Sequence, residues 1–205
     1  MPMKLYGAPW PAPNPRRVRI FLAEKGIELA ETPVDLAARE HKSPEYRAKN
    51  SLGQIPTLEL ADGTAISETV AICRYFEETY PEPPLFGRTP VEKALVEMWV
   101  RRIEFAVMNP VGNYWRHAHP RTAALLKQYK DFGESNADTY AGAQKWLDRE
   151  LSQRQFVAGA EFTVADICLM TTVDFAKWIG LPLDPQYENL AAWQARVSAR
   201  PTARA

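Results

Sequence analysis

The stretch Gln54-Ile55-Pro56-Thr57-Leu58-Glu59-Leu60 is followed, after an Asp62-Gly63 pair, by Ser67-Glu68-Thr69-Val70-Ala71-Ile72. The first segment predicts a short strand opened by a proline, whose preceding peptide bond can be cis in a tight turn. The Asp-Gly pair predicts a hairpin that joins strands near 57–60 and 64–66. Glu68 and Thr69 then open a predicted helix over 70–80. We therefore expect a strand–strand–helix unit over this stretch.

This unit carries the groups that would hold a short peptide. A cis turn at Pro56 leaves the N–H and C=O of Ile55 able to pair with an extended peptide, as an added strand would. Unpaired amides at a helix N-terminus hold a carboxylate, and the Glu68 carboxylate can hold an amine beside it. We interpret the site as a clamp for a peptide with a free α-amino and α-carboxyl group at one end.

The residues before the clamp predict a strand–helix–strand unit. Strands are expected at 3–7 and at about 28–35, on either side of a helix from about 15 to 25. Asn14 is the predicted helix cap, and Pro15 suits the first turn, where its missing N–H costs nothing. Gly26 lies where a left-handed residue would end the helix. Two strands joined in this way form a parallel pair with a right-handed crossover.

The second half of the chain is helical in period. Leu95, Trp99 and Ile103 recur at a spacing of four, which predicts one buried helix face. The pattern continues through Pro110, where we expect a kink. A further helix is predicted at about 137–152. Another begins with a capping box at Thr163-Val164-Ala165-Asp166, which gives Asp166 a structural role.

The predicted organisation is an α/β domain followed by an all-α domain. A βαβ-ββα domain spans 1–81, a proline-rich linker spans 82–90 and a helical domain spans 91–205. The chain has 25 Lys and Arg against 25 Asp and Glu, so no overall charge recruits nucleic acid or an anionic membrane surface. Cys73 and Cys168 lack the spacing of a disulfide framework or metal site. With no apolar leader or membrane span, we expect a cytoplasmic protein.

Several segments in order carry a family resemblance. They are Lys4-Leu5-Tyr6-Gly7, Arg16-Arg17-Val18-Arg19, Ala23-Glu24-Lys25-Gly26-Ile27, Glu40-His41-Lys42, the clamp at 54–72, Leu85-Phe86-Gly87, Phe156-Val157-Ala158-Gly159 and the capping box at 163–166. The chain resembles the glutathione S-transferase family, most closely an atypical bacterial and fungal branch near the plant phi-like class. The resemblance implies a thioredoxin-like first domain, glutathione as co-substrate without a tightly bound cofactor or metal, a small hydrophobic electrophile, a role in detoxification and a homodimer.

The resemblance also implies which residues bind glutathione. In the phi-like pattern two cations at 41 and 42 meet the glycyl carboxylate, with the side chain at 54 beside them. Thr69 replaces the commoner serine and keeps its hydroxyl. The implied binding residues are His41, Lys42, Gln54, Ile55, Pro56, Glu68 and Thr69.

The thiol of glutathione must become a thiolate, and the usual helper is missing. Its free pKa is about 8.5, and most of the family supplies a hydroxyl from Tyr or Ser, or uses a cysteine, near the end of the first strand. Counting back from Arg16, the usual serine position is Ala12. Three substitutes remain open: Asn14 with the N-terminus of its helix, the hydroxyl of Tyr6, or His117.

His117 follows Asn113 by four residues, so the two share a helix face and could position a water or thiol. In the atypical branch a polar pair on this helix does that work, although here Gly112 and Arg116 occupy neighbouring places. We take His117 and Asn14 as the catalytic candidates, ahead of His119.

The second substrate is expected in a cleft at the domain junction. The predicted wall of this electrophile pocket is Trp10, Pro11, Met108, Asn113, Tyr114 and Trp115. The predicted activity is conjugation of glutathione to a hydrophobic electrophile. A glutathione-dependent disulfide oxidoreductase and a non-catalytic carrier of glutathione or apolar ligands are the alternatives.

Overall fold

A computed structural model describes residues 2–9 and 11–205 of the chain. The chain divides into two compact units. The first comprises the residues up to Leu85 together with Arg204–Ala205, and the second comprises Phe86–Ala203. Trp10, which the sequence analysis places in the electrophile pocket, lies outside the described residues.

The first unit is built on a four-stranded sheet with the strand order β2-β1-β3-β4. β1 pairs parallel with β2, whereas β3 runs antiparallel to both β1 and β4. The elements in chain order are β1 (Lys4–Gly7), α1 (Pro13–Glu24), β2 (Glu31–Pro33), a 3-10 turn (Glu40–Lys42), α2 (Pro44–Lys49), β3 (Thr57–Glu59), β4 (Ala65–Ser67) and α3 (Thr69–Thr79). The predicted thioredoxin-like βαβ-ββα order is confirmed.

The two ends of α1 illustrate one correct and one wrong prediction. At the C-terminus Gly26 adopts φ +66°, and the N–H groups of Gly26 and Ile27 donate to Ala23 and Leu22. This is the left-handed cap expected there. At the N-terminus the cap residue is Ala12, so Asn14 does not cap the helix. Pro13 begins α1 two residues earlier than expected, because a proline is well suited to the first helical position.

α2 was not predicted from the sequence. Its start carries two recognisable signals, since the Ser43 hydroxyl accepts a hydrogen bond from the Tyr46 amide and Pro44 occupies the first turn. The helix has only six residues, too short for a hydrophobic period to show.

The second unit is helical throughout its described elements. They are α4 (Pro90–Ile103), a π-helical segment (Glu104–Met108), α5 (Asn109–His117), a 3-10 turn (Pro120–Thr122), α6 (Lys130–Leu151), α7 (Val164–Trp178), α8 (Glu188–Ser198) and a 3-10 turn (Pro201–Arg204). The all-α class of this half is confirmed. α6 begins seven residues before the predicted 137, because its first two turns are mostly polar.

One prediction for the helical half needs correction. The buried face of α4 is formed by Val96, Trp99, Val100 and Ile103, while Leu95 is 42% exposed. Spacing by four alone cannot distinguish Leu95 from Val96, which lies 100° further round the helix. At Pro110 the backbone widens into the π-helical segment just upstream and then continues as α5. Such a widening accommodates the missing N–H and the bulk of the proline ring.

Asp166 has the structural position predicted for it. Its carboxylate is fully buried and accepts hydrogen bonds from the amides of Val157 and Thr163, the Thr163 hydroxyl and the Trp193 indole. Burial raises the pKa of this carboxyl to about 6, although each of these bonds acts in the opposite direction. Asp166 therefore ties the start of α7 to the preceding loop and to α8.

No helix within residues 2–9 and 11–205 has the length and apolar character needed to cross a membrane.

Candidate functional site

The parts of the clamp meet at one edge of the sheet. Thr57 of β3 pairs with Ser67 of β4 and with Tyr6 of β1. Ile55 and Pro56 directly precede β3, and Glu68 and Thr69 directly follow β4. The Ile55-Pro56 peptide bond is cis, as predicted. The start of α3 and the start of β3 are thus adjacent.

Glu68 has an unusual backbone. It adopts φ +70° at the N-cap of α3, a region that non-glycine residues rarely occupy and that costs on the order of 1–3 kcal/mol. Within the described part of the chain its carboxylate accepts no hydrogen bond, and the residue is exposed. A strained residue that presents an unpaired carboxylate at a helix N-terminus is typical of a ligand-binding position.

Thr69 begins α3 and is buried. Its hydroxyl oxygen accepts a hydrogen bond of 3.2 Å from Nη1 of the buried Arg17 on α1. Arg17 also donates to the Asn14 side chain at 3.0 Å. The N-terminal ends of α1 and α3 are therefore joined through one arginine, whose role the sequence analysis did not predict.

His41, Lys42 and Gln54 are brought together around Gly53. The Lys42 ammonium donates to the carbonyls of Leu52 at 3.2 Å and Gly53 at 2.5 Å. A Cβ atom on Gly53 would lie 2.5 Å from the His41 carbonyl oxygen, so the two loops touch at their backbones. Only glycine fits this contact, at a residue with φ +57°.

His41 differs electrostatically from the cation that the resemblance implies. Burial lowers the pKa of its imidazole, and the nearby charges of Lys42, Arg39 and Arg47 lower it further. Its Nδ1 atom is buried without a hydrogen-bond partner among the described residues. The neutral imidazole is the form favoured at neutral pH, so the charge at this end of the site comes from lysine.

The carbonyl of Gln54 is held by a buried network that the sequence analysis missed. It accepts hydrogen bonds from the Tyr46 hydroxyl at 3.0 Å and from the Asn50 amide at 2.9 Å. Both donors also bond the Thr57 hydroxyl. These hydrogen bonds fix the backbone of Gln54, while its side chain is exposed. The signal available in the sequence was a polar Asn50 at a position that ends α2.

Comparisons with known proteins give matches in both halves of the chain. The family model described as the glutathione S-transferase N-terminal domain matches residues 12–79, and that of the glutathione S-transferase C-terminal domain matches residues 124–201. Glutathione S-transferase 2 of Saccharomyces cerevisiae is 37% identical over 204 residues, which cover 98% of this chain and 87% of the relative.

The chain belongs to the glutathione S-transferase family. The crystal structure of Gtt2 from Saccharomyces cerevisiae superposes with a TM-score of 0.91 at 36% identity and covers 98% of each chain. A maleylacetoacetate isomerase of Pseudomonas aeruginosa is 28% identical over 192 residues, or 89% of this chain and 85% of the relative. The predicted family is thus confirmed, and so is the prediction of an enzyme of this family.

In this transferase the donors near Ala12 are few. Ala12 directs its own N–H to the Pro9 carbonyl, in the loop that also holds the half-buried Pro11. Of the first three helical residues, Pro13 and Pro15 have no N–H, so Asn14 alone offers a backbone donor there. At the N-terminus of α1, which is one of the three candidates for stabilising the sulfur, the available donors among the first three residues are the backbone and side-chain amides of Asn14.

Tyr6 is committed elsewhere in this transferase. Its hydroxyl donates to the Glu59 carboxylate at 2.7 Å, and Glu59 in turn accepts from Lys49 at 2.5 Å. Burial, followed by the Glu59 interaction, raises the pKa of Tyr6 to about 12. The hydroxyl proton is held by a carboxylate, so Tyr6 is the weakest of the three substitutes for the missing serine.

In the second unit of the transferase, Asn113 and His117 both face α6. The Asn113 amide donates to Asn136 at 3.1 Å, while the His117 ring packs on Tyr129 and Phe132 at centroid distances of 5.7 and 5.4 Å. Nδ1 of His117 is buried with no hydrogen-bond partner among the described residues. Nε2 is thus the nitrogen that can reach a ligand. The exposed aromatic pair around His117 was not predicted.

The other predicted wall residues divide into two groups. Met108, at the end of the π-helical segment, is partly accessible. Trp115 packs within its own unit against His119, Phe175 and Trp178 at centroid distances of 4.7–5.5 Å, and Tyr114 meets the edge of His119. His119 accepts from the Arg121 amide through Nδ1, and burial followed by Arg121 lowers its pKa. His119 and Trp115 therefore have clear packing roles.

Within residues 2–9 and 11–205, no cluster of three or more His, Cys, Asp or Glu side chains is placed to hold a metal ion.

Proposed function

We propose that this transferase binds reduced glutathione along the clamp edge of the sheet and joins its sulfur to a hydrophobic electrophile. The observation that carries the proposal is Glu68, held at φ +70° at the start of α3 with a carboxylate that has no hydrogen-bond partner among the described residues. Glu68 directly follows Ser67, which pairs with Thr57 beside the Ile55-Pro56 bond. This geometry suits a ligand that has an amine and a carboxylate on one carbon and an extended chain beyond them.

In the proposed complex the γ-glutamyl end of glutathione meets α3. Its amine pairs with Glu68, and its carboxylate takes the Thr69 hydroxyl and the first amides of the helix. The N–H and C=O of Ile55 form strand-like hydrogen bonds with the central cysteinyl residue. The glycyl carboxylate lies near Gln54, His41 and the Lys42 charge.

The proposed reaction forms a C–S bond, and it breaks the S–H bond of the thiol and one bond of the electrophile. The thiol proton is lost to solvent, the thiolate sulfur attacks an electrophilic carbon to form a C–S bond, and the leaving group departs with its electron pair. At an activated double bond no group departs: the π bond breaks as the C–S bond forms, and the neighbouring carbon, which receives the electron pair, takes a proton from solvent. Lowering the thiol pKa by one unit needs about 1.4 kcal/mol of preferential thiolate stabilisation. We assign this to the Asn14 amides, with Nε2 of His117 as the other candidate group.

A second candidate is supported by one observation. The position usually held by a serine is Ala12, and the Tyr6 hydroxyl is bound to Glu59. A disulfide oxidoreductase that uses the glutathione thiol, or a carrier of glutathione or apolar ligands, needs less thiol activation than a transferase. The relative named an isomerase adds a third outcome to be assayed.

The test is a pH titration of the ultraviolet thiolate absorbance of bound glutathione. A bound thiol pKa clearly below the free value of about 8.5, with conjugation of an activated aryl halide, supports the transferase. Binding with an unshifted pKa and turnover of a glutathione mixed disulfide would select the oxidoreductase. Binding without any turnover would select the carrier, and no glutathione binding would contradict all of these.

We further propose that the protein is cytoplasmic, since reduced glutathione is maintained in that compartment. We also propose that it is a homodimer. α4 presents Val91 and Leu95, one turn apart and 68% and 42% exposed, which suits burial against a second copy. Light scattering after gel filtration should give twice the 23.2 kDa of one chain. Val91→Glu with Leu95→Glu should shift that mass toward one chain, and an unchanged dimer would place the interface elsewhere.

A further inference from the structure

Arg17 is the only arginine among the buried residues that the structure describes, being 2% exposed. It lies on α1, one turn after Asn14, and two hydrogen bonds of its guanidinium come from the same nitrogen. Nη1 donates to Asn14 Oδ1 at 3.0 Å and to Thr69 Oγ1 at 3.2 Å. These two acceptors stand at the N-terminal ends of two different helices, at the edge where the clamp residues meet.

The guanidinium determines the orientation of both acceptors. Arginine has donors and no acceptor, so Asn14 must turn its amide oxygen toward Arg17. The Asn14 NH2 group then points away from Arg17, and it has no partner among residues 2–9 and 11–205. The Thr69 oxygen likewise accepts from Arg17, so the hydroxyl hydrogen is directed elsewhere and meets no acceptor in the described part of the chain.

The positive charge of Arg17, like its hydrogen bonds, favours an anionic ligand at the N-terminal ends of α1 and α3. Burying a guanidinium carries a large desolvation penalty that hydrogen bonds only partly offset. A purely structural link between α1 and α3 could be made by neutral side chains. A cation placed behind two helix N-termini adds to the positive ends of both helix dipoles. Such a site favours an anion at each helix end, which matches a thiolate near Asn14 and a carboxylate near Thr69.

We infer that Arg17 is a positioning residue that directs the Asn14 amide and the Thr69 hydroxyl, as hydrogen-bond donors, toward glutathione. It acts through these two side chains. The inference rests on the proposed glutathione site. Because Ala12 has no hydroxyl to activate the glutathione thiol, part of that activation is assigned to the buried Arg17, which donates hydrogen bonds to Asn14 and Thr69.

The experiment compares Arg17→Met with Arg16→Met, which removes the same charge one position away. Glutathione affinity is measured by calorimetry, and the bound thiol pKa by ultraviolet absorbance. For Arg17→Met we expect Kd to rise about tenfold, equivalent to about 1.4 kcal/mol, and the thiol pKa to move toward its free value. For Arg16→Met we expect Kd within about twofold of wild type, a change of less than about 0.5 kcal/mol.

The thiol pKa separates positioning from a merely structural role. If Arg17 only supported the fold, a folded Arg17→Met protein would unfold at lower temperature yet keep the wild-type Kd and thiol pKa, and that result would overturn the inference. Arg17→Lys retains the charge with a shorter reach, so partial recovery of both values is expected. If Arg17→Lys shows the same Kd and thiol pKa as Arg17→Met, the positive charge at position 17 does not contribute to glutathione binding or thiol activation.

If Arg17→Met does not fold, the inference can be tested with Thr69→Val, made both in wild type and in Arg17→Lys. It removes the hydroxyl with little change in shape, and it should weaken binding in wild type. Its effect on Kd should be much smaller in the Arg17→Lys protein, because the hydroxyl is no longer oriented there. Equal effects in both backgrounds would overturn the inference. If the wild-type protein binds no glutathione, both the proposed function and the inference are wrong. If it binds glutathione but the Arg17 variants have the wild-type Kd and thiol pKa, only the inference is wrong.

Discussion

Gly133 of α6 lies directly against the backbone of His117 in α5. A Cβ atom on Gly133 would be 2.7 Å from the carbonyl carbon of His117 and 2.6 Å from the amide nitrogen of Ala118. The two helices therefore meet at backbone contact, which brings Tyr129 and Phe132 around the His117 ring. The position of a proposed catalytic histidine thus depends on a residue with no side chain.

Replacing Gly133 with alanine should push α5 and α6 apart. We expect Gly133→Ala to destabilise the protein by about 1–3 kcal/mol, since backbone atoms cannot yield to the new methyl group. Gly142→Ala is the matched control on the same helix, where an added Cβ would meet no atom within 4 Å. That change should stabilise by up to about 1 kcal/mol from helix propensity. Urea unfolding of both variants checks this, and equal stabilisation of the two would refute the close contact.

Glu68→Ala should weaken glutathione binding by an order of magnitude or more. The variant removes the only charge proposed to pair with the γ-glutamyl amine, which would then be left without a partner. Glu78→Ala is the control, because Glu78 lies on the same helix with its side chain 65% exposed. Calorimetry with glutathione is the measurement. Unchanged affinity in Glu68→Ala would contradict the clamp.

His117→Ala should lower turnover while leaving glutathione affinity nearly unchanged. This pattern is expected of a group that acts on the thiolate in the transition state and contributes little to ground-state binding. Steady-state kinetics with an activated aryl halide, together with calorimetry, gives both quantities.

Equal turnover in His117→Ala would move the catalytic role to Asn14. Asn14→Leu would then be expected to raise the bound thiol pKa, since it removes the side-chain amide and leaves only the backbone N–H between Pro13 and Pro15. If both variants turn over like wild type, neither residue activates the sulfur.

Asp166 should make stability depend on pH in the acid range. Burial raises its pKa from 3.8 to about 6, so the folded state holds the proton more tightly than the unfolded chain does. Its contribution is fully present below about pH 4 and is lost as the pH rises to about 6, by an amount on the order of 3 kcal/mol. Above about pH 6 no further change is expected from this group.

The measurement is urea unfolding between pH 4 and 7 of wild type and Asp166→Asn, whose side chain cannot ionise. The stability of wild type relative to the variant should fall over this range. Carboxyl NMR of wild type gives the pKa directly if the variant does not fold. A relative stability that rises with pH would mean that the four hydrogen-bond donors outweigh burial.

Local signals explain which features of the fold could be predicted. The turn at Asp62-Gly63, the cap at Gly26 and the box at Thr163 to Asp166 each depend on residues a few positions apart, and all three occur as expected. Leu95 and Asn14 were misplaced because their neighbours also fit the local pattern. Both Leu95 and Val96 are apolar, but the folded unit buries Val96 and leaves Leu95 exposed.

The sequence by itself determined the order of the four strands with α1 and α3, the family and the segments that form the clamp. Hydrophobic period, turn residues and motif spacing all act over a few residues, so they can be read without the fold. Only the tertiary structure decided how polar groups are paired. Arg17 meets Thr69 across 52 positions and Tyr6 meets Glu59 across 53, and no local pattern specifies such partners. Hydrogen bonding and burial between distant segments therefore decide which donors remain available to a ligand.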